Sequence, residues 1–212
     1  MKSQISKLFD DKKKTYLSDF LRGSKEDQRV FLKQFYDWIY QTEISPPTNC
    51  KTVWQQVLNR VMPEFKNGLE FGCGTGAGIA LARENGKNAW GFDIADVSKS
   101  WFRHGIDKYC KTGDYLNLPY EDNEFDFVLC TEVLEHILEF DIERVLSEIY
   151  RVASEKVVFT IALEEEEVPV RGYIYTHITL KPVGWWLEKI INAGFFPEVF
   201  HESKTLFTEV LV

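Results

Sequence analysis

The sequence predicts an α/β fold: a mostly parallel sheet with helices on both faces, closed by an antiparallel strand and preceded by a helical extension. Three observations predict it. Beyond Pro63, short apolar runs alternate with helical stretches. The last two apolar runs, Phe195–Phe200 and Thr205–Val212, are joined only by His201 to Lys204, the spacing of a hairpin, so the final strand runs antiparallel. The first sixty or so residues show instead a period near 3.6.

Within the extension, Ile5, Leu8, Phe9, Tyr16, Leu17, Phe20 and Leu21 fit a first helix, interrupted by charge at Asp11 to Lys14 and stopped at Gly23. Ser24 followed by Asp27 reads as an N-cap with its acidic partner, and Val30, Phe31, Phe35, Trp38 and Ile39 give the second helix an apolar face. Pro46-Pro47 breaks the chain, and a third helix is expected over Thr48–Met62. The expected division is therefore a helical cap over residues 1–62 and an α/β core over 63–212.

The core reads as strand Gly68–Phe71, helix Thr75–Asn85, strand Ala89–Asp93, helix Val97–Tyr109, strand Phe125–Cys130, helix Ile137–Val152, strand Lys156–Leu163 and helix Val183–Ala193. The terminal hairpin follows. Glu164–Glu167 falls in a loop expected to be solvated.

Composition narrows the function. The chain has 212 residues and a formal net charge of −8, which argues against a broad nucleic-acid footprint. The four cysteines, Cys50, Cys73, Cys110 and Cys130, form no CxxC pair and read as free buried thiols. No run approaches the ~18 consecutive apolar residues of a membrane span, and the N-terminal stretch lacks a secretory pattern. A cytoplasmic protein without membrane or nucleic-acid partners is expected; its oligomeric state is open.

Gly72, Gly74 and Gly76 follow the first core strand and open a helix. Glycines there allow a sharp turn and close approach of a ligand to the backbone. Asp93 ends the next strand, about 20 residues on, where a carboxylate can accept from both ribose hydroxyls. Glu70, Asp93, Asp114 and Glu132 make the expected cleft acidic, and the glycine turn offers no Lys or Arg. An acidic cleft favours a cationic cofactor over an anionic dinucleotide: a carboxylate about 6 Å from a cation contributes up to roughly 3 kcal/mol at an effective dielectric near 20.

The segment Glu70-Phe71-Gly72-Cys73-Gly74-Thr75-Gly76 resembles the ExGxGxG signature of class I S-adenosylmethionine-dependent methyltransferases. Gly113-Asp114, Leu118-Pro119, Phe125-Asp126 and Glu132-Val133-Leu134-Glu135-His136 are similar to the small-molecule, type 11-like branch. The resemblance spans roughly residues 60 to 212 and implies a Rossmann-like, doubly wound, seven-stranded sheet with S-adenosyl-L-methionine as cofactor. It implies that Gly72, Gly74 and Gly76 lie beside the methionine moiety with Glu70 nearby. Asp93 would hold the ribose, Ile94 would pack on the adenine, and Asp114 would accept from the adenine amino group beside Tyr115. Cys130 and Thr131 would lie beneath the methionine portion.

Methyl transfer from a sulfonium needs alignment above all, and a base where the acceptor is protonated. His177, just before the last helix, is expected as base or acceptor contact, with His136 second; no metal site is expected. Phe31, Phe35, Trp38, Tyr173, Tyr175, Trp185 and Trp186 are candidate acceptor-pocket residues, with core packing the favoured reading for aromatics at helical spacing. The expected activity is methylation of an oxygen or nitrogen of a small molecule. The alternatives are an NAD(P)-dependent oxidoreductase or a non-catalytic S-adenosylmethionine-binding subunit.

Overall fold

The computed structural model describes residues 13–42, 65–167, 169–202 and 204–212. The expected helix over Thr48–Met62 and Cys50 lie outside them.

The start of the expected first helix, with Ile5, Leu8 and Phe9, also lies outside the described residues, and the part from Thr15 on differs from the expectation. Thr15–Tyr16 is a short strand, β1, followed by a 3₁₀ turn at Leu17–Phe20. The helical period fails there because Thr15 and Tyr16 pair in parallel with Ile174 and Tyr175 (β7), and the Tyr16 and Tyr175 rings pack at 5.3 Å. Helix α1, Lys25–Gln41, begins as expected. The Ser24 hydroxyl accepts from the Asp27 N–H, and the Asp27 carboxylate accepts from the Ser24 N–H, satisfying donors that a helix N-terminus otherwise leaves open.

The core sheet holds β2 (Asn67–Phe71), β3 (Asn88–Asp93), β4 (Cys110–Thr112), β5 (Phe125–Thr131), β6 (Ala153–Ala162), β8 (Phe196–Glu202) and β9 (Thr205–Leu211). Their order is β4-β3-β2-β5-β6-β9-β8. All pairs are parallel except those made by β9 with β6 and β8. This is the expected seven-stranded sheet with its antiparallel final strand. His201, expected in a turn, lies within β8.

Helices α2 (Ala77–Glu84), α3 (Ser98–Arg103), α4 (Ile142–Val152) and α5 (Val183–Asn192) flank it. Two helices are shorter than their apolar periods suggest. The expected helix Val97–Tyr109 ends at Arg103, because Gly105 takes φ +66° and frees Cys110–Thr112 for β4, a strand too short to show in the sequence. The expected helix Ile137–Val152 starts only at Ile142, after 3₁₀ turns at Leu134–His136 and Glu139–Asp141.

One face of the sheet is sealed by α4 and α5, with Phe125, Phe159, Trp186 and Phe195 in its core. The other holds Cys73, Ile79, Trp101, Phe127 and Leu129. A third cluster joins α1 to the loops beyond β5 and β6 through Leu17, Phe31, Leu32, Phe35, Ile39, Leu138, Val170 and Ile174. Phe31, Phe35 and Trp186 are therefore core residues, not pocket walls. Cys73, Cys110 and Cys130 are buried free thiols.

Candidate active site

The parallel strands deliver their C-terminal ends to one edge of the sheet, where α/β folds bind ligands. The turn after β2 is held tightly there. The Gly72 and Cys73 N–H groups both donate to the Phe92 carbonyl, at 2.8 and 3.0 Å. Gly74 adopts φ +49°, which favours glycine, and its N–H donates to Asp93 Oδ2 at 2.8 Å. The Trp101 indole N–H anchors the other side on the Gly74 carbonyl at 2.9 Å. At Gly72 a Cβ would fall 2.3 Å from Val133 Cγ2, so no side chain fits between this turn and the segment after β5.

Asp93 is 6% exposed. Its second oxygen accepts from the Ala95 N–H at 2.9 Å. Burial pushes its pKa up to about 6 against the lowering effect of these two amides and of Lys33. An ionised carboxylate offers about four acceptor directions. The amides use two, which leaves two for the hydroxyls of a diol. Glu70, on the adjacent strand, is likewise buried. Asp114 is exposed and caps its own turn by accepting from the Leu116 N–H at 2.9 Å.

Helix α1 lies across these strand ends, a placement that its sequence does not reveal. Lys33 Nζ donates to the Ile94 carbonyl at 3.0 Å and to Asp37. Asp37 accepts from the Asp96 N–H at 2.7 Å. One turn further on, the Tyr40 hydroxyl would stand 2.9 Å from a Cβ on Gly74. On the flank of α1, Arg29 grips buried Asp141 through two bonds of 2.9 and 2.6 Å, and the Tyr115 hydroxyl donates to the same carboxylate at 2.9 Å. The Tyr115 side chain is thus engaged in the core. Cys130 is also fully buried; only its backbone and the half-buried Thr131 reach the strand end.

Beside the glycine turn lies a second polar cluster. The His136 and His177 rings meet edge to face at 4.8 Å, and the Tyr36 ring stands 6.0 Å from His136. The two histidines are 41 residues apart in the chain, and the structure brings both expected catalytic side chains together. His136 Nδ1 lies 3.0 Å from the Thr176 carbonyl and His177 Nδ1 lies 2.7 Å from the Glu164 carbonyl. Burial, reinforced by His177, lowers the His136 pKa to about 4. Glu135 is fully buried and accepts from the Ala162 N–H at 3.1 Å; burial and neighbouring Glu132 raise its pKa well above the usual range. Glu132 itself takes φ +53°, a strained conformation for a residue with a side chain.

Glu164, Glu165 and Glu167 are exposed, as expected of a solvated loop, while Glu166 is half-buried and the segment is tied down. Glu166 accepts from the Thr176 N–H and hydroxyl and from the His177 N–H. Glu165 pairs with Lys14 and Tyr16, and Glu167 with Lys204. The segment is a strap holding His177 in place. Sequence reading missed Tyr36, Tyr40, Glu135 and Glu166. The alternation of Tyr36 and Tyr40 one helical turn apart was the available signal for the first two. For the carboxylates there was none.

A shallow cleft bordered by Arg83, Lys87, Asn88 and Tyr109 lies at the opposite end of β3 and plays no part in this site. Among the described residues, no helix is long and apolar enough to cross a membrane.

The methyltransferase domain family matches residues 69–161. Norajmaline N-methyltransferase of Rauvolfia serpentina is 35% identical over 103 residues, 42% of this chain and 32% of that protein. An uncharacterised protein of Methanocaldococcus jannaschii is 28% identical over 170 residues, 73% of this chain and 72% of its own length. The chain thus spans about a third of the first relative. In fold, it is similar to 1,6-didemethyltoxoflavin-N1-methyltransferase of Burkholderia thailandensis, with a TM-score of 0.68, 16% identity, and coverage of 90% of this chain and 91% of that one.

Proposed function

We propose, from the match of residues 69–161 to the methyltransferase domain family, that the chain is a class I methyltransferase that methylates an oxygen or nitrogen atom of a small-molecule acceptor. The observation that carries the reading is that one helix, α1, spans both halves of the site. Its Tyr40 reaches Gly74 and its Tyr36 reaches His136. A donor held at the glycine turn and an acceptor held at the histidine pair would meet beneath it.

S-adenosylmethionine supplies a methyl group already activated by its sulfonium. Asp93 would hold the ribose hydroxyls through its two remaining acceptor directions, and the turn Gly72, Gly74 and Gly76 would lie beside the methionine portion. Glu70 and Asp93 are both buried at the strand ends, and their charge favours a cationic donor. Ile94 and Asp114 would flank the adenine. His177 and His136 would face the acceptor. Each can receive the hydrogen of an acceptor O–H or N–H on the ring nitrogen that the backbone carbonyls leave open. Residues 1–62 would act as a cap, with α1 excluding water. Orientation of this kind can supply up to ~7–11 kcal/mol of a barrier.

The test is a transfer assay with S-adenosylmethionine labelled at its methyl group against a panel of small phenols, alcohols and amines. Labelled product from any of them, lost in His177→Ala while S-adenosylhomocysteine still binds, supports the reading. Turnover unchanged in His177→Ala removes that histidine from the acceptor site. Cofactor binding without turnover on the whole panel favours a non-catalytic binding subunit.

A further inference from the structure

We propose that Glu135, His136 and His177 form a binding site for one divalent metal ion of the zinc or iron(II) class, facing the acceptor side of the cleft. A ligand atom from each of the three residues lies within 4.8 Å of the other two. Two imidazole nitrogens and one carboxylate oxygen are the protein donor set of catalytic zinc sites and of mononuclear iron(II) sites.

The second observation is how the histidines are presented. Carbonyl oxygens only accept, so the contacts of His136 Nδ1 with Thr176 O and of His177 Nδ1 with Glu164 O place a hydrogen on each Nδ1. Both Nε2 atoms then keep their lone pairs. Metal-bound histidines are oriented in the same manner, by a hydrogen bond from the other ring nitrogen.

The third observation is Glu135. Its side chain is fully buried, and Oε1 accepts from Ala162 N–H. Oε2 has no hydrogen-bond partner among the described residues. A buried oxygen without a donor is costly. The Glu135 carboxyl lies beside the two imidazoles, and a cation is the species that all three side chains can bind together.

The donors must close in somewhat, since bonds near 2.1 Å put tetrahedral ligands roughly 3.4 Å apart. Neither histidine sits on a strand. His136 ends a 3₁₀ turn, and His177 follows β7 in the segment that Glu166 ties. With the cation bound, the imidazoles act as ligands rather than as proton acceptors. An acceptor oxygen or nitrogen completing the coordination would lose its proton more readily.

The inference borrows from the proposed function only the position of the acceptor, and its test uses neither acceptor nor methyl donor. The full chain, stripped with chelator, is titrated with Zn²⁺ by calorimetry and with Co²⁺ by visible absorption. One equivalent is expected to bind, with d–d bands of a nitrogen–oxygen site. His177→Ala and Glu135→Gln should each weaken binding by about tenfold or more, and His104→Ala, a surface histidine, should leave it unchanged. Circular dichroism and S-adenosylhomocysteine binding report whether each variant is folded. No stoichiometric binding by the wild-type chain, or equal binding by folded variants, overturns the inference; intact S-adenosylhomocysteine binding would then leave the methyltransferase reading standing.

Discussion

Tyr40 covers Gly74: its hydroxyl would lie 2.9 Å from a Cβ at that position. The contact joins α1 to the turn after β2, and it makes Gly74 sensitive twice over. The residue occupies the left-handed region at φ +49°, and its open side faces a neighbour. Gly74→Ala is expected to destabilise the fold by about 1–3 kcal/mol and to weaken S-adenosylhomocysteine binding. A thermal melt and a titration check both effects. Gly86→Ala is the comparison, since its φ is also positive but nothing lies within 4 Å of a Cβ there; it should cost stability alone.

Asp93 predicts a pH dependence. Burial raises its folded pKa to about 6, above the value of about 3.9 for an unperturbed aspartate. The folded state therefore holds the proton more tightly than the unfolded chain, so ionising Asp93 lowers stability as pH rises from about 4 through 6. Ligand binding has the opposite sign, because only the ionised carboxylate accepts from two hydroxyls. Affinity for S-adenosylhomocysteine should be flat above about pH 7 and fall toward about tenfold per pH unit below 6. Titrations between pH 5 and 8 check this, with Asp93→Asn as the flat control.

The bidentate Arg29–Asp141 pair predicts how α1 is secured. Asp141 is 2% exposed and also receives the Tyr115 hydroxyl. Arg29→Met leaves that buried carboxylate without its cation, at an expected cost of about 3–5 kcal/mol. For a chain of this size, each kcal/mol moves the melting temperature by about 2–4 °C. Hydrogen exchange should locate the lost protection first in α1, and loss spread evenly over the sheet would speak against the pair as the clamp of that helix.

Glu166→Gln tests the strap. A glutamine keeps an oxygen for the Thr176 and His177 N–H donors but gives up the charge. A mild effect on His177 placement is expected, whereas Glu166→Ala should lower turnover on any accepted substrate well below that of Glu166→Gln. Equal rates for the two variants would show that the strap does not position His177.

Much of the core was legible because it is written in short-range pattern. The β2–turn–α2 segment, the position of Asp93 and the final hairpin all follow from apolar runs, glycines and spacing within some twenty residues. The extension was harder. Thr15 and Tyr16 fit a helical period, yet they pair with Ile174 and Tyr175, a contact between chain segments far apart that periodicity does not encode. Lys33, Asp37 and Tyr40 stand outside the apolar face expected of α1, and only tertiary docking turns them toward the strand ends. Glu135 stood only within the motif that carries the family resemblance, and Glu166 within a loop expected to be solvated. Their burial depends on the two 3₁₀ turns and on the strap, neither of which has a sequence signature strong enough to separate it from a helix or a solvated loop.

Calorimetric titration of the full chain with S-adenosylhomocysteine, beside Asp93→Ala and beside NADH as competitor, bears most directly on the donor site. One equivalent should bind the wild-type chain, Asp93→Ala should weaken that binding by about 1–3 kcal/mol, and NADH should not displace it. No binding of S-adenosylhomocysteine, or an affinity unchanged by loss of the Asp93 carboxylate, would contradict the placement of the methyl donor at the glycine turn.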